Sequence, residues 1–136
     1  MTLSAPATLL TAAATIIAIL IAVATSILVA RTRFKVGIMP PAMTGAPELE
    51  RVIRVQGNTL EQLVAFVPAL WLAAFYFPGW IPAALGLTWS IGRIIYIPAY
   101  MAGGNRRIGF SLTIWPTLIL LLLAGFGIVR AAMAAA

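Results

Sequence analysis

The sequence predicts an all-α membrane protein, a single bundle of four transmembrane helices over residues 1–136, from three observations. First, 62% of the 136 residues are hydrophobic and mean hydropathy is +1.06, while only nine Lys or Arg and three Glu carry charge. A soluble domain of this size usually has about a quarter of its residues charged, so lipid must face most of this surface. Second, residues 5–30, 62–92 and 108–129 are free of charge, and about 20 apolar residues cross a bilayer. Third, Phe77-Pro78-Gly79-Trp80 interrupts the middle run with a turn signal.

Splitting there gives spans near 5–30, 52–77, 80–102 and 108–131. The first is expected to remain a permanent helix, because no basic n-region precedes it as in a secretory leader. The connection from Gly37 to Pro47 (GIMPPAMTGAP) is short and contains Ile38, Met39 and Met43, so it reads as an ordered loop. No internal repeat is evident, which disfavours an inverted-repeat transporter.

The net charge of +6 is unevenly placed. Arg31, Arg33, Lys35, Arg51 and Arg54 lie in or beside the first connection, and Arg106 and Arg107 lie in the third. The positive-inside rule puts both connections in the cytoplasm and both termini outside. Phe75, Tyr76, Phe77 and Trp80 would form the aromatic belt at the other interface. For Arg31, Arg33 and Lys35, topogenesis or attraction to anionic lipid accounts for the charge at least as well as a ligand does.

With no cysteine and no histidine, thiolate chemistry by the protein is excluded and the commonest general base is missing. Three Glu and no Asp leave no metal cage. The polar residues that remain form two stripes. On helix two, Arg51, Arg54, Asn58 and Glu61 are spaced 3, 4 and 3 apart, within about 80° of one another and over about 15 Å of helix. On helix three, Arg93, Tyr96 and Tyr100 are spaced 3 and 4. An ionisable group at membrane depth turns toward a partner or a cavity, so Glu61 and Arg93 could pair to fix helix register. One acid cannot neutralise Arg51, Arg54, Arg93, Arg106 and Arg107 together. Guanidinium forks match carboxylates and phosphates. A small peptide fits this set, its carboxylates on Arg, its ammonium on Glu61 and an amide on Asn58. A nucleotide fits less well, because no Gly-rich phosphate loop is present, and no nucleic-acid partner is expected.

The run Glu50-Arg51-Val52-Ile53-Arg54-Val55-Gln56-Gly57-Asn58-Thr59-Leu60-Glu61 resembles the signature E-R-x-x-R-x-x-x-N-x-x-E of the membrane-associated proteins in eicosanoid and glutathione metabolism, the MAPEG family. Arg93 to Tyr100, followed by Asn105-Arg106-Arg107-Ile108-Gly109-Phe110, is similar to that family's third helix and the arginine beyond it. The Pro40-Pro41 and Thr44-Gly45-Ala46-Pro47-Glu48 connection also resembles the family's, so the likeness covers essentially the whole chain.

The resemblance implies a homotrimer that binds glutathione as co-substrate between adjacent subunits, near the cytoplasmic side. By position, Arg54, Gln56, Asn58 and Glu61 on helix two would line the site, with Arg93, Tyr96 and Tyr100 on helix three. Arg31 matches an arginine that some members use. Arg107, seven residues after Tyr100, matches best the arginine that stabilises the glutathione thiolate, and Arg106 is the close alternative. The implied activity is glutathione transfer to a lipophilic electrophile reaching the site through the bilayer, or reduction of a lipid hydroperoxide. Two positions depart from the pattern: Gln62 stands where some members have tyrosine, and Val64 and Ala65 where many have proline. Two other readings compete. One is a non-catalytic, lipid-binding scaffold of the same family. The other is a small multidrug transporter, whose membrane glutamate would typically lie in helix one, which is uncharged here. The charge-free start of the chain suggests a bacterial inner membrane.

Overall fold

The computed structural model describes residues 6–136 as four helices, α1 (Pro6–Val36), α2 (Pro47–Tyr76), α3 (Trp80–Met101) and α4 (Arg107–Ala135). All four are long and apolar enough to cross a membrane. The expected start of helix one at residue 5 lies outside the described residues. Helices α1 and α2 overrun the spans expected from hydropathy, because the charged residues flanking the apolar runs stay helical. Arg33 and Lys35 occupy the last turn of α1, and Glu48 and Glu50 the first turn of α2. Each set complements the partial charge of its helix end.

Local chemistry stops each helix. Gly37, at φ 72°, ends α1 while its N–H donates to the Arg33 carbonyl at 2.9 Å. This is the left-handed C-terminal arrangement that glycine adopts without a Cβ penalty. Pro47 opens α2, where a missing N–H costs nothing. Between α2 and α3, Phe77 donates its N–H to Ala73 and Pro78 cannot continue the ladder, so the chain reverses where the turn signal predicts. The 37–47 loop is held by Arg33, whose Nη1 donates to the carbonyls of Ala42 (2.6 Å) and Ile38 (3.3 Å). Lys35 and Glu48 pair across it at 2.8 Å, although both are exposed and such pairs stabilise by at most about 1 kcal/mol.

Arg51 donates to the Met101 carbonyl, so the first and third connections share one end of the bundle. Arg130 donates to the Tyr76 carbonyl and puts the end of α4 beside the second connection, at the other end. α2 and α3 form the centre, and α1 and α4 each pack on both of them. Among the described residues α1 and α4 do not touch.

Lipid supplies no hydrophobic drive for helix association, so close approach depends on small residues. The inward face of α1 is Thr11, Ala14, Ala18, Ala22, Thr25, Val29 and Thr32, all buried and spaced three or four apart. The hydroxyls of Thr25 and Ser26 donate back to the Ala22 carbonyl. Close approach is visible at three glycines: Gly86 faces Ala14, Gly92 faces Leu112 and Gly127 faces Tyr76. Gly125 differs, since a Cβ there would meet nothing within 4 Å. Gly109, which the sequence did not single out, admits the backbone of Tyr96; an added Cβ would lie 2.7 Å from Tyr96 N and Cα. Trp89 is buried and stacked on Phe66 at 4.4 Å, Trp71 donates to Thr15, and Trp115 is exposed.

These contacts set an expectation for α3–α4 packing. Gly109→Val should destabilise the fold by about 1–3 kcal/mol, because backbone rather than a movable side chain would have to yield. Gly125→Ala should be neutral or slightly stabilising. Thermal unfolding of the two variants in detergent checks the contrast, and equal melting temperatures would contradict this account of Gly109.

Candidate functional site

At the end of the bundle carrying the first and third connections, α2, α3 and the start of α4 enclose two adjoining grooves. The larger, of about 700 Å³, runs along α2 past Arg51, Arg54, Asn58 and Glu61, with Met43 and Thr44 of the first loop and Tyr100 at its margins. The smaller, of about 400 Å³, is lined by Arg54, Asn58, Tyr96, Tyr100, Arg106, Arg107 and Phe110. Arg54, Asn58 and Tyr100 belong to both and join them into one site.

Seven of the sequence-predicted residues therefore meet here: Arg54, Asn58, Glu61, Tyr96, Tyr100, Arg106 and Arg107. Helix geometry explains why. The three-and-four spacing of each stripe keeps its members on one face, and the α2 stripe lies at the edge of that helix's buried face. Asn105 completes the arrangement by accepting the Arg107 N–H at 3.0 Å, which tucks in the start of α4. The positive end of that helix then adds to the guanidinium charge in the smaller groove.

Arg93 behaves differently. It is fully buried and lines neither groove. Its Nη1 donates to Asn58 Oδ1 at 3.0 Å and its Nη2 to Thr59 Oγ1, whose own hydroxyl donates to the Val55 carbonyl at 2.7 Å. The expected alternative, a Glu61–Arg93 pair, does not form. Glu61 lies three residues beyond Asn58, about 60° further from the buried face, and it is exposed in the larger groove. Thr59 is not part of the polar stripe, because it lies about 100° from Asn58 around α2. Its adjacency to Asn58 on the inward side of α2 is the signal that could have found it.

Rings and cations continue outward from Arg93. Its guanidinium carbon lies 4.4 Å from the Tyr96 ring centroid and 6.0 Å from that of Trp89. Tyr96 and Tyr100 are tilted together at 5.6 Å, and Arg106 covers Tyr100 at 4.7 Å. Arg106 is thus engaged by a ring, whereas Arg107 lines the smaller groove and its guanidinium has no hydrogen bond, ion pair or ring contact among the described residues. Around the grooves stand Arg51, Arg54, Arg106 and Arg107 against Glu50 and Glu61. None of these six is in an ion pair among the described residues, which leaves a cationic site suited to an anion.

Two predicted residues lie elsewhere. Gln56 donates to Ser26 of α1 at 2.9 Å. It is two residues from Arg54, about 200° around the helix, so one groove of one chain cannot hold both. Arg31 is exposed near the end of α1 and lines neither groove. The loop residues Met43 and Thr44 and the aromatic Phe110 join the site without having been predicted, since nothing in their type marks them.

The MAPEG family model matches residues 9–126. An uncharacterised protein of Synechocystis sp. is 50% identical over 93 residues, 68% of each chain. Microsomal glutathione S-transferase 2 of Homo sapiens is 40% identical over 101 residues, covering 74% of this chain and 69% of the relative. Leukotriene C4 synthase of Cavia porcellus is 34% identical over 99 residues, covering 73% and 66%. The four membrane-length helices and the extent of these matches agree: the chain belongs to the MAPEG family.

Proposed function

We propose that this protein is a glutathione-dependent membrane enzyme that holds glutathione as a thiolate for transfer to lipophilic electrophiles. The observation that carries the reading is the smaller groove. There Arg107 and Arg106, at the positive end of α4, face Tyr96, Tyr100, Arg54 and Asn58 in a chain without cysteine or histidine. The ligand brings the sulfur and the protein supplies the cations. The likeness to microsomal glutathione S-transferase 2 supports the choice of ligand.

A thiolate is the reactive form of the thiol, and nearby cations and helix N-termini favour it. Each unit by which a thiol's pKa falls takes about 1.4 kcal/mol of preferential stabilisation of the anion. On this reading Arg107 faces the sulfur, because Arg106 is committed to the Tyr100 ring. Arg54 takes a carboxylate, Glu61 the ammonium and Asn58 an amide. Arg93 acts one step back, as a positioning residue that holds Asn58 and Tyr96. The thiol proton leaves to water, and the thiolate sulfur bonds to an electrophilic carbon. The bond broken there leaves its electron pair on the displaced group, such as a halide ion or an epoxide oxygen that then takes a proton from water. Phe110 and the apolar face of α4 form the side from which a membrane-dissolved electrophile arrives. Reduction of lipid hydroperoxides is the second activity the same thiolate would support.

The separation of Gln56 from Arg54 supports a homotrimer with the site between subunits. Gln56 and Arg31 would then complete the groove of a neighbouring copy rather than their own. The arginine-rich end would face the cytoplasm of a bacterial inner membrane, with both termini outside. A non-catalytic, lipid-binding scaffold is the competing reading.

Ultraviolet absorbance of the thiolate, on titrating glutathione into the detergent-solubilised protein, separates the two readings. A saturable signal at neutral pH is expected. Arg107→Ala should lower the bound thiolate fraction about tenfold or more, and the signal should return as pH rises toward the range of the free thiol. Arg106→Ala should have the smaller effect. Glutathione bound without any thiolate signal would favour the scaffold.

Arg93→Leu tests the positioning role. Leaving Asn58 Oδ1 without its donor should cost about 1–3 kcal/mol of stability. KM for glutathione should rise about tenfold, equivalent to 1.4 kcal/mol, with a smaller change in kcat. A lowered melting temperature with KM unchanged would reduce Arg93 to a purely structural tie.

A further inference from the structure

We propose that Gly57 is a specificity-determining residue of the larger groove, the place where the peptide part of the ligand lies against bare helix backbone. The inference rests on the glutathione reading above and adds a residue that no part of that reading uses.

Gly57 sits inside α2, well away from both ends. Its backbone makes no demand for glycine, since the positive-φ glycines are Gly37, Gly45 and Gly103. Packing within the chain makes none either. A Cβ built on Gly57 meets nothing within 4 Å, whereas the same atom on Gly86, Gly92 or Gly109 would press on a neighbouring helix. Glycine is the least favourable residue in a helix interior after proline. Nothing in one isolated chain therefore accounts for a glycine at this point, and helix propensity opposes it.

Its position supplies the missing reason. Gly57 lines the larger groove, one turn after Arg54 and one turn before Glu61, beside Asn58. These flanking groups would hold a carboxylate, an ammonium and an amide of the same peptide. A side chain at 57 would stand between them, where the ligand's backbone has to pass. Its absence deepens the groove there and lets main chain approach main chain, as glycine does wherever a ligand comes close to backbone. Gly125 gives the comparison. It too meets nothing within 4 Å, but it is exposed on α4 and lines neither groove.

The test uses the full chain in detergent, with Gly57→Ala, Gly57→Leu and Gly125→Leu. Three quantities are measured: the glutathione dissociation constant by equilibrium dialysis, the melting temperature, and the particle mass. Gly57→Leu should weaken glutathione binding about tenfold or more, as expected for overfilling a packed contact, and Gly57→Ala should weaken it less. Both should melt no lower than the wild type and keep its particle mass. Gly125→Leu should bind as the wild type does. Should the leucine variant fail to fold, Gly57→Ala carries the comparison, because alanine favours the helix. Wild-type affinity in the Gly57 variants would mean that the glycine is merely tolerated. A smaller particle would place a second copy, rather than the peptide, against Gly57. Either result overturns the proposal. Absence of glutathione binding in the wild type would instead sink the functional reading itself, and this inference with it.

Discussion

Arg93 is a buried guanidinium with no carboxylate beside it, inside a helix that crosses the membrane. A charge in that setting is costly unless several polar groups and polarisable surfaces surround it. Two α2 side chains accept its terminal hydrogens, and the ring of Tyr96 lies against its face. Cation–π contact of this kind is strongest where water is excluded. Together with the Phe66–Trp89 stack, Arg93 therefore sets the register of α3 against α2. Displacing it would release Asn58 and Thr59 on one helix and Tyr96 on the other. Because Asn58 and Tyr96 also line the grooves, the contact that fixes the core fixes the site as well.

The remaining packing serves the same geometry. α1 brings a face of alanine and threonine to the α2–α3 pair, and α4 is admitted close to Tyr96 at Gly109. Gly109 is two residues from Arg107, so the approach that sets the helix spacing also sets how near the first residues of α4 come to Tyr96 and Tyr100. A bulkier residue at 109 would move both arginines away from the tyrosines by pushing the helix out. Packing and electrostatics are coupled through a single missing side chain.

Much of this was legible in the sequence because it depends on periodicity and charge. The number of helices, the turn at Pro78-Gly79 and the meeting of the two polar stripes follow from spacing alone. Three kinds of feature were not legible. Helix ends in water depend on capping and on charge–dipole complementarity, so α1 and α2 extend past the apolar runs through Lys35 and back to Pro47. The partner of Arg93 depends on how far α2 is rotated. A turn of about 60° decides between Glu61 and Asn58, and a stripe that spans about 80° cannot resolve that difference. Residues such as Thr59, Phe110 and Gly109 matter through contact, and their types announce nothing when read one at a time.

The placement of Gln56 joins these threads. A residue two positions from Arg54 must point to the far side of α2, and there it pairs with Ser26 on the outer part of α1. Polar side chains of that kind gain little by facing lipid, where nothing else can satisfy their remaining hydrogen-bonding capacity. In the proposed assembly of copies, the far side of one α2 would become a wall of the next copy's groove. The groove's own imbalance calls for an anion. Four guanidiniums against two carboxylates repel one another until an anion enters, so an anionic ligand shared between copies would hold that end of the assembly together. Assembly and ligand binding would then be linked: whatever strengthens one strengthens the other by the same factor.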